Sequence, residues 1–145
     1  MLKLSKKADY GLIAVKHLAM RDAEGACSAA GIAEVYGIPT PLMAKVLQKL
    51  AKHGLVTARH GSSGGYKLAR HPSAITALEV INAIDGPLFI TSCVTSRGEC
   101  YQTPTCTVRE PLRRVNESIL QVLGTVTISQ MSEEPPKSSL IELET

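Results

Sequence analysis

At 145 residues the chain has room for one domain, or a small domain plus an extension; with one Phe and no Trp its core is built from Leu, Ile, Val and Ala. No apolar run approaches the roughly 18 residues of a membrane span, and Met1-Leu-Lys-Leu-Ser-Lys-Lys7 lacks an apolar signal region, so a reducing cytoplasm is the expected compartment. The net charge of +3 divides unevenly: residues 1–72 carry eleven Lys/Arg against four Asp/Glu, a net +7, and residues 73–145 carry five against nine, a net −4, which points to a polyanionic partner for the first part alone.

Leu4, Ala8, Leu12, Val15 and Ala19 step by 4, 4, 3 and 4, one stripe of an amphipathic helix. Ser5 is its expected N-cap, and Asp22-Ala-Glu-Gly25 is the turn that ends it. Asp9 and Tyr10 lie off the stripe. A second, short helix is predicted over 29–36, capped by Ser28 and terminated at Gly37. Cys27, just before it, reads as a small, partly buried residue. Ile38-Pro39-Thr40-Pro41 then turns the chain into a third helix, with Thr40 expected as N-cap and Pro41 as the first helical residue. Leu42, Val46, Leu47 and Leu50 face inward, while Lys45, Gln48, Lys49 and Lys52 recur at i, i+3, i+4 and i+7 on the outer face. Two helices joined by a glycine turn, the second with a cationic face, form a helix-turn-helix pattern.

Leu55-Val-Thr-Ala-Arg59-His60 reads as a strand, Gly61-Ser62-Ser63-Gly64-Gly65 as a turn, and Tyr66-Lys-Leu-Ala69 as the returning strand. A hairpin directly after a helix-turn-helix is a wing, whose glycines let backbone approach a phosphate or a narrow minor groove, with Arg59 supplying positive charge. The glycine run lacks the Lys-Ser/Thr ending of a P-loop and opens no helix. Thr76-Ala-Leu-Glu79 is a capping box that starts a helix running to about Asp85, before Gly86-Pro87, with Leu78, Ile81 and Ile84 as core.

Cys93, Cys100 and Cys106 follow, separated by spacers of six and five residues that contain Gly98 and Pro104. Such a loop can turn three thiolates toward one point, the ligand type that holds iron–sulfur clusters or zinc; the plain alternative is three independent loop thiols. Three cysteines leave a site one ligand short, and with one oxygen donor they serve a 2Fe–2S or a 4Fe–4S cluster alike. Glu110 as N-cap and Pro111 as first residue open a further helix. Its residues Leu112, Val115, Ile119 and Val122, broadened by Leu120 and Leu123, form a heptad-like seam, the candidate homodimer contact. The tail from Ser132, with Pro135-Pro136, serines and acids, reads as flexible.

The expected fold is thus mainly α with a small β-hairpin wing: a winged helix-turn-helix over residues 1–72, a cysteine loop and long dimerisation helix over 73–131, and a tail over 132–145. No enzyme is expected, because no Ser/His/Asp grouping is evident and His17, His53, His60 and His71 are scattered. A small electron carrier would explain the cysteines but not the basic winged helix. A zinc-stabilised DNA-binding module would use the same three cysteines plus one ligand.

Over about residues 1–131 the chain resembles the IscR/NsrR-type family of bacterial winged-helix iron–sulfur transcription regulators. The resemblance rests on Leu-Lys-Leu-Ser-Lys-Lys-Ala-Asp-Tyr10, Gly37-Ile-Pro39, Lys-Leu-Ala-Lys-His-Gly-Leu-Val56, Gly-Gly-Tyr66, Glu79-Val-Ile-Asn-Ala-Ile-Asp85 and the cysteine trio. The opening and Gly86-Pro87 look most like members controlling SUF iron–sulfur assembly genes, with nitric-oxide-sensing members close behind. The resemblance implies a cytoplasmic homodimer on a pseudo-palindromic double-stranded DNA operator, with an iron–sulfur cluster on Cys93, Cys100 and Cys106. The assembly-regulator branch has a ligating His three residues after the third cysteine. This chain has Arg109 there, which stays protonated. Asp9, which matches an Asp ligand of the nitric-oxide-sensing members, is then the expected fourth ligand, given across the dimer. Thr40, Pro41, Ala44 and Lys45 would face base edges, and Lys49, Lys52, Arg59, His60, Ser62 and Ser63 the backbone and the groove beside the wing. The wing itself has His60-Gly61 where Arg-Gly is common.

Overall fold

The computed structural model describes residues 4–61, 64–88 and 109–132. In chain order these form α1 (Lys6–Met20), α2 (Ala29–Tyr36), α3 (Thr40–Lys52), β1 (Val56–Arg59), β2 (Gly65–Leu68), α4 (Ala77–Asp85), α5 (Arg109–Thr125) and α6 (Ile128–Ser132), with single 3-10 turns at Asp22–Glu24 and Pro72–Ala74. The mainly α fold with a hairpin wing is the one expected. Cys93, Cys100, Cys106, Ser62, Ser63 and the tail beyond Ser132 lie outside the described residues.

Helix α1 is capped by the Ser5 hydroxyl, which accepts from the Ala8 amide at 3.0 Å. Its buried face is Ala8, Gly11, Ala14, Val15, His17 and Leu18. That face is rotated from the anticipated stripe, and Leu4, Leu12 and Ala19 sit at its flanks. The reason is Gly11, which carries no hydropathy signal but lets α4 approach closely. A β-carbon there would lie 3.0 Å from Ile84 Cγ1 and 3.3 Å from Val80 Cγ1.

Ser28 caps α2 through the Gly31 amide, and Gly37 ends it in the left-handed region at φ 66°. Helix α3 begins one residue earlier than expected. The Pro39 carbonyl accepts from the amides of both Leu42 and Met43, so Pro39 is the cap, Thr40 the first helical residue and Pro41 the second. A proline is tolerated there because the first amides of a helix have no intrahelical acceptor to lose. The same reasoning covers α5. It opens at Arg109 rather than after Glu110, and Pro111 still falls among the orphan amides.

The hairpin is antiparallel, with Val56 opposite Leu68 and Arg59 opposite Gly65. Cys27 adds a single bridge to its outer edge: the Cys27 amide donates to the Tyr66 carbonyl at 3.0 Å, and the Tyr66 amide donates to the Cys27 carbonyl at 2.7 Å. Gly65 is required at this crossing, since a β-carbon would run into the Cys27 carbonyl. The wing root is therefore fixed to the turn before α2.

Thr76 and Glu79 form the capping box of α4, as expected. Val80, Ile81, Ala83 and Ile84 are buried, while Leu78 is half-buried. Helix α6 had no counterpart in the sequence reading. It opens with a reciprocal pair, the Gln130 amide to Thr127 Oγ1 at 3.2 Å and the Thr127 amide to Gln130 Oε1 at 3.0 Å. Its Ile128 is fully buried in the cluster that holds Ala8 and Val15 of α1, Leu47 and Leu50 of α3 and Val80 and Ile84 of α4.

Candidate nucleic-acid interface

Four inward residues of α3, Met43, Val46, Leu47 and Leu50, are essentially inaccessible to solvent. Burying that side fixes the rotation of the helix about its axis, so the opposite side must face out. Thr40 and Pro41 are exposed at its N-terminal end, Ala44 is half-buried, and Lys45, Lys49 and Lys52 are exposed along its length. Met43, left out of the predicted inner face, is one of the largest fully buried side chains, and Leu42 is only half-buried.

The cations differ in what they touch. Arg21 pairs with Glu24, Lys67 approaches Asp22 at 3.9 Å, Arg70 pairs with Glu79, and Arg113 pairs with Glu110 and Glu117. Lys45, Lys52 and Arg59 have no anionic partner among the described residues, which leaves their charge available to a polyanion. Lys49 is different again. Its ammonium donates to the Ile84 carbonyl in the last turn of α4 at 3.2 Å. Arg59 and His60 are exposed where β1 enters the turn, and Ser62 and Ser63 beyond them fall outside the described residues.

Asp9 is exposed in the first turn of α1, and its carboxylate has no partner among the described residues. One turn earlier, the Ser5 hydroxyl donates to the Asp85 carboxylate, 2.7 Å from Oδ1 and 2.8 Å from Oδ2. The N-terminal turn of α1 is thereby held to the last residue of α4, from which the chain runs on to Cys93. Cys27 is a free, half-buried thiol, and burial pushes its pKa up, away from the reactive thiolate. His17 is buried and hydrogen-bonded through Nδ1 to the Tyr36 hydroxyl at 2.9 Å, with the rings edge to face. Burial first, then the nearby Arg21 charge, lowers its pKa.

Helix α5 presents an apolar strip to solvent. Val115 is 48% and Val122 59% exposed, and with Ile119 and Leu123 they line a shallow groove of about 440 Å³ rimmed by Arg114 and Ser118. No helix among the described residues is long and apolar enough to cross a membrane.

A helix-turn-helix whose second helix is anchored inside and cationic outside, followed by a hairpin wing, defines the winged-helix class of DNA-binding proteins. Residues 4–134 match the Rrf2 family model, described as an iron-dependent transcriptional regulator, and the chain belongs to that family of transcriptional regulators. Among solved structures it is 30% identical to CymR (YrzC), the global cysteine regulator of B. subtilis, with a TM-score of 0.78 over 91% of this chain and 97% of that one. It is 28% identical to T. potens IscR, with a TM-score of 0.73 over 96% of each chain. Staphylococcus aureus CymR, at 23% identity and a TM-score of 0.71 over 92% of this chain and all of that one, shares the fold.

Proposed function

We propose that this regulator binds an operator in double-stranded DNA as a homodimer in the cytoplasm, and that an iron–sulfur cluster sets its affinity. The observation that carries the DNA reading is the outward side of α3, where Thr40, Pro41, Ala44 and Lys45 stand at the N-terminal end, the end a recognition helix inserts into a major groove, and where Lys52, like Arg59 of β1, has no anionic partner among the described residues. The dimer reading is supported by the exposed Val115–Val122 strip on α5, an apolar surface with no cover among the described residues.

For the cluster, the support is the donor set. Cys93, Cys100 and Cys106 are soft thiolates at spacings a loop can bring together, and the family is described as iron-dependent. Asp9 offers an exposed carboxylate unengaged by any described residue and therefore available as a fourth ligand. A hard oxygen among thiolates is the donor that exchanges most readily. A bound cluster would supply redox and ligand-exchange chemistry. The chain's own part is to hold that donor on α1, whose first turn is tied through Ser5 to the end of α4. The SUF-type assembly genes are the proposed targets, on the Asp9-Tyr10 opening and Gly86-Pro87.

Two other readings have support. The 30% identity to a global cysteine regulator favours control of cysteine metabolism, and the cysteine trio also suits structural zinc. A nitric-oxide or redox signal acting on the same cluster is a variant of the first reading. Anaerobic purification with iron, zinc and sulfide counts, followed by footprinting with and without chelation, separates them. Iron and sulfide with chelation-sensitive footprints support the cluster. Stoichiometric zinc without colour supports the structural site, and neither metal overturns both.

A further inference from the structure

The charged side chains of α3 are not equivalent, and the difference lies at the end of α4. The last carbonyls of a helix lack intrahelical N–H donors and carry the negative end of its dipole. In α4 the Gly86 amide serves the Asn82 carbonyl, and the Lys49 ammonium serves that of Ile84. Asp85, an acid at the unfavourable end of the same dipole, is held by the Ser5 hydroxyl. Ile84 also packs its side chain on Gly11 of α1. One turn of α4 thus holds α1 through Ser5 and Gly11 and α3 through Lys49. Lys45 and Lys52, one turn to either side along α3, have no such anchor among the described residues.

We propose that Lys49 is a positioning residue for DNA recognition: its ammonium fixes α3 to the last turn of α4 and so sets the angle at which Thr40, Pro41 and Lys45 meet the bases. This rests on the reading of α3 as the recognition helix. It departs from the sequence reading of Lys49 as a phosphate contact, a role that would leave sequence preference untouched. A lysine that aims the helix acts on the ratio of specific to non-specific affinity, because misaligned base contacts are lost while phosphate contacts persist.

The test uses the full chain, a duplex selected by the unmodified protein from a random-sequence pool, and a scrambled duplex of the same composition. Lys49→Met keeps the apolar stem and removes the donor; Lys49→Arg retains a donor; Lys52→Met removes a charge without an anchor. Lys49→Met is expected to lower the specific-to-scrambled affinity ratio about tenfold, the scale of one lost base contact, with the salt slope unchanged, and Lys49→Arg to restore most of the ratio. Lys52→Met is expected to flatten the slope and keep the ratio. A flattened slope with an intact ratio in Lys49→Met makes Lys49 a phosphate contact and overturns the proposal, as does no change in either. If the unmodified protein selects no duplex, the DNA reading itself fails. Hydrogen exchange of the free protein reads the joint independently of DNA. Faster exchange at the Gly86 amide and along α3 in Lys49→Met, but not in Lys52→Met, is the expected result, and equal exchange in both overturns it.

Discussion

Val122 tests the proposed seam without touching the core. It is 59% exposed, so its removal costs the isolated fold little, and serine is close to valine in helix propensity. Fully burying a valine is worth roughly 1.5–3 kcal/mol, so covering the exposed part in a dimer is worth about 1–2 kcal/mol. An isologous two-fold interface contains the residue twice, giving roughly 2–4 kcal/mol per dimer. At 1.4 kcal/mol per decade, Val122→Ser should raise the dimer dissociation constant about 30- to 700-fold. Sedimentation velocity over a concentration series reads this directly, and circular dichroism checks that the helix content is kept. Val35→Ser is the control, since Val35 is 60% exposed but lies on α2. A dissociation constant unchanged in Val122→Ser, an equal effect from Val35→Ser, or an unmodified protein that is monomeric at micromolar concentration would each refute the assignment of α5.

On the proposed interface Lys52 holds one phosphate per protomer, so with Lys52→Met a dimer on DNA should lose about 1.8 from its log–log salt slope; between 50 and 200 mM salt its affinity should then fall about 12-fold less than that of the parent, measured by fluorescence anisotropy. Asp9→Ala should change the visible spectrum of anaerobically purified protein and speed loss of its iron, whereas Asp22→Ala should do neither; identical spectra and iron lifetimes for Asp9→Ala and the parent remove Asp9 from the ligand set. Burial holds the folded pKa of His17 below the ordinary histidine value of about 6.5, so the unfolded chain takes up its proton first as pH falls. Thermal stability should therefore decline as pH drops below about 6.5 and level off under the folded pKa, and His17→Gln should flatten that part of the curve in calorimetry.

Much of the fold was readable because local chemistry and tertiary packing agree. Ser5, Ser28 and the Thr76–Glu79 box cap the helices they were expected to cap, and the Lys45–Lys52 face emerged from periodicity alone. Gly11 shows where such reading stops: hydropathy assigns it to neither face, yet its missing β-carbon decides which side of α1 meets α4. The start of α3 slipped by one residue because Thr40 has the side chain of a cap while the Pro39 carbonyl makes the first bonds. Helix α6 did carry a signature, Thr127-x-x-Gln130, but five residues are too few for periodicity to register. Lys49 could not be distinguished from Lys45 or Lys52, because its acceptor lies 35 positions away in sequence. The absence of a partner for Asp9 among the described residues and the pairing of His17 with Tyr36 are likewise products of the tertiary fold.

The junction after α5 constrains how any signal could reach DNA. The Ala77 amide donates to the Val126 carbonyl and the Ile128 amide to the Ile75 carbonyl, each at 2.9 Å, with Thr76 and Thr127 bridged between them. Ile128 is buried just beyond. Hinging α5 at Val126 would forfeit two backbone hydrogen bonds, each worth about 1 kcal/mol net, and expose an isoleucine worth roughly 1.5–3 kcal/mol. A cost of about 3.5–5 kcal/mol keeps such a hinge open in fewer than about one molecule in three hundred. The C-terminal end of α5 and the winged helix therefore move as one piece. A dimer joined along α5 then holds its two α3 helices at a separation fixed by how the α5 helices cross, and operator half-sites must match that separation. A change in cysteine chemistry that alters operator affinity would have to act by changing that crossing from the N-terminal end of α5, or by shifting the last turn of α4 to which Lys49 and Ser5 are tied. A hinge at Val126 is the one route the packing closes.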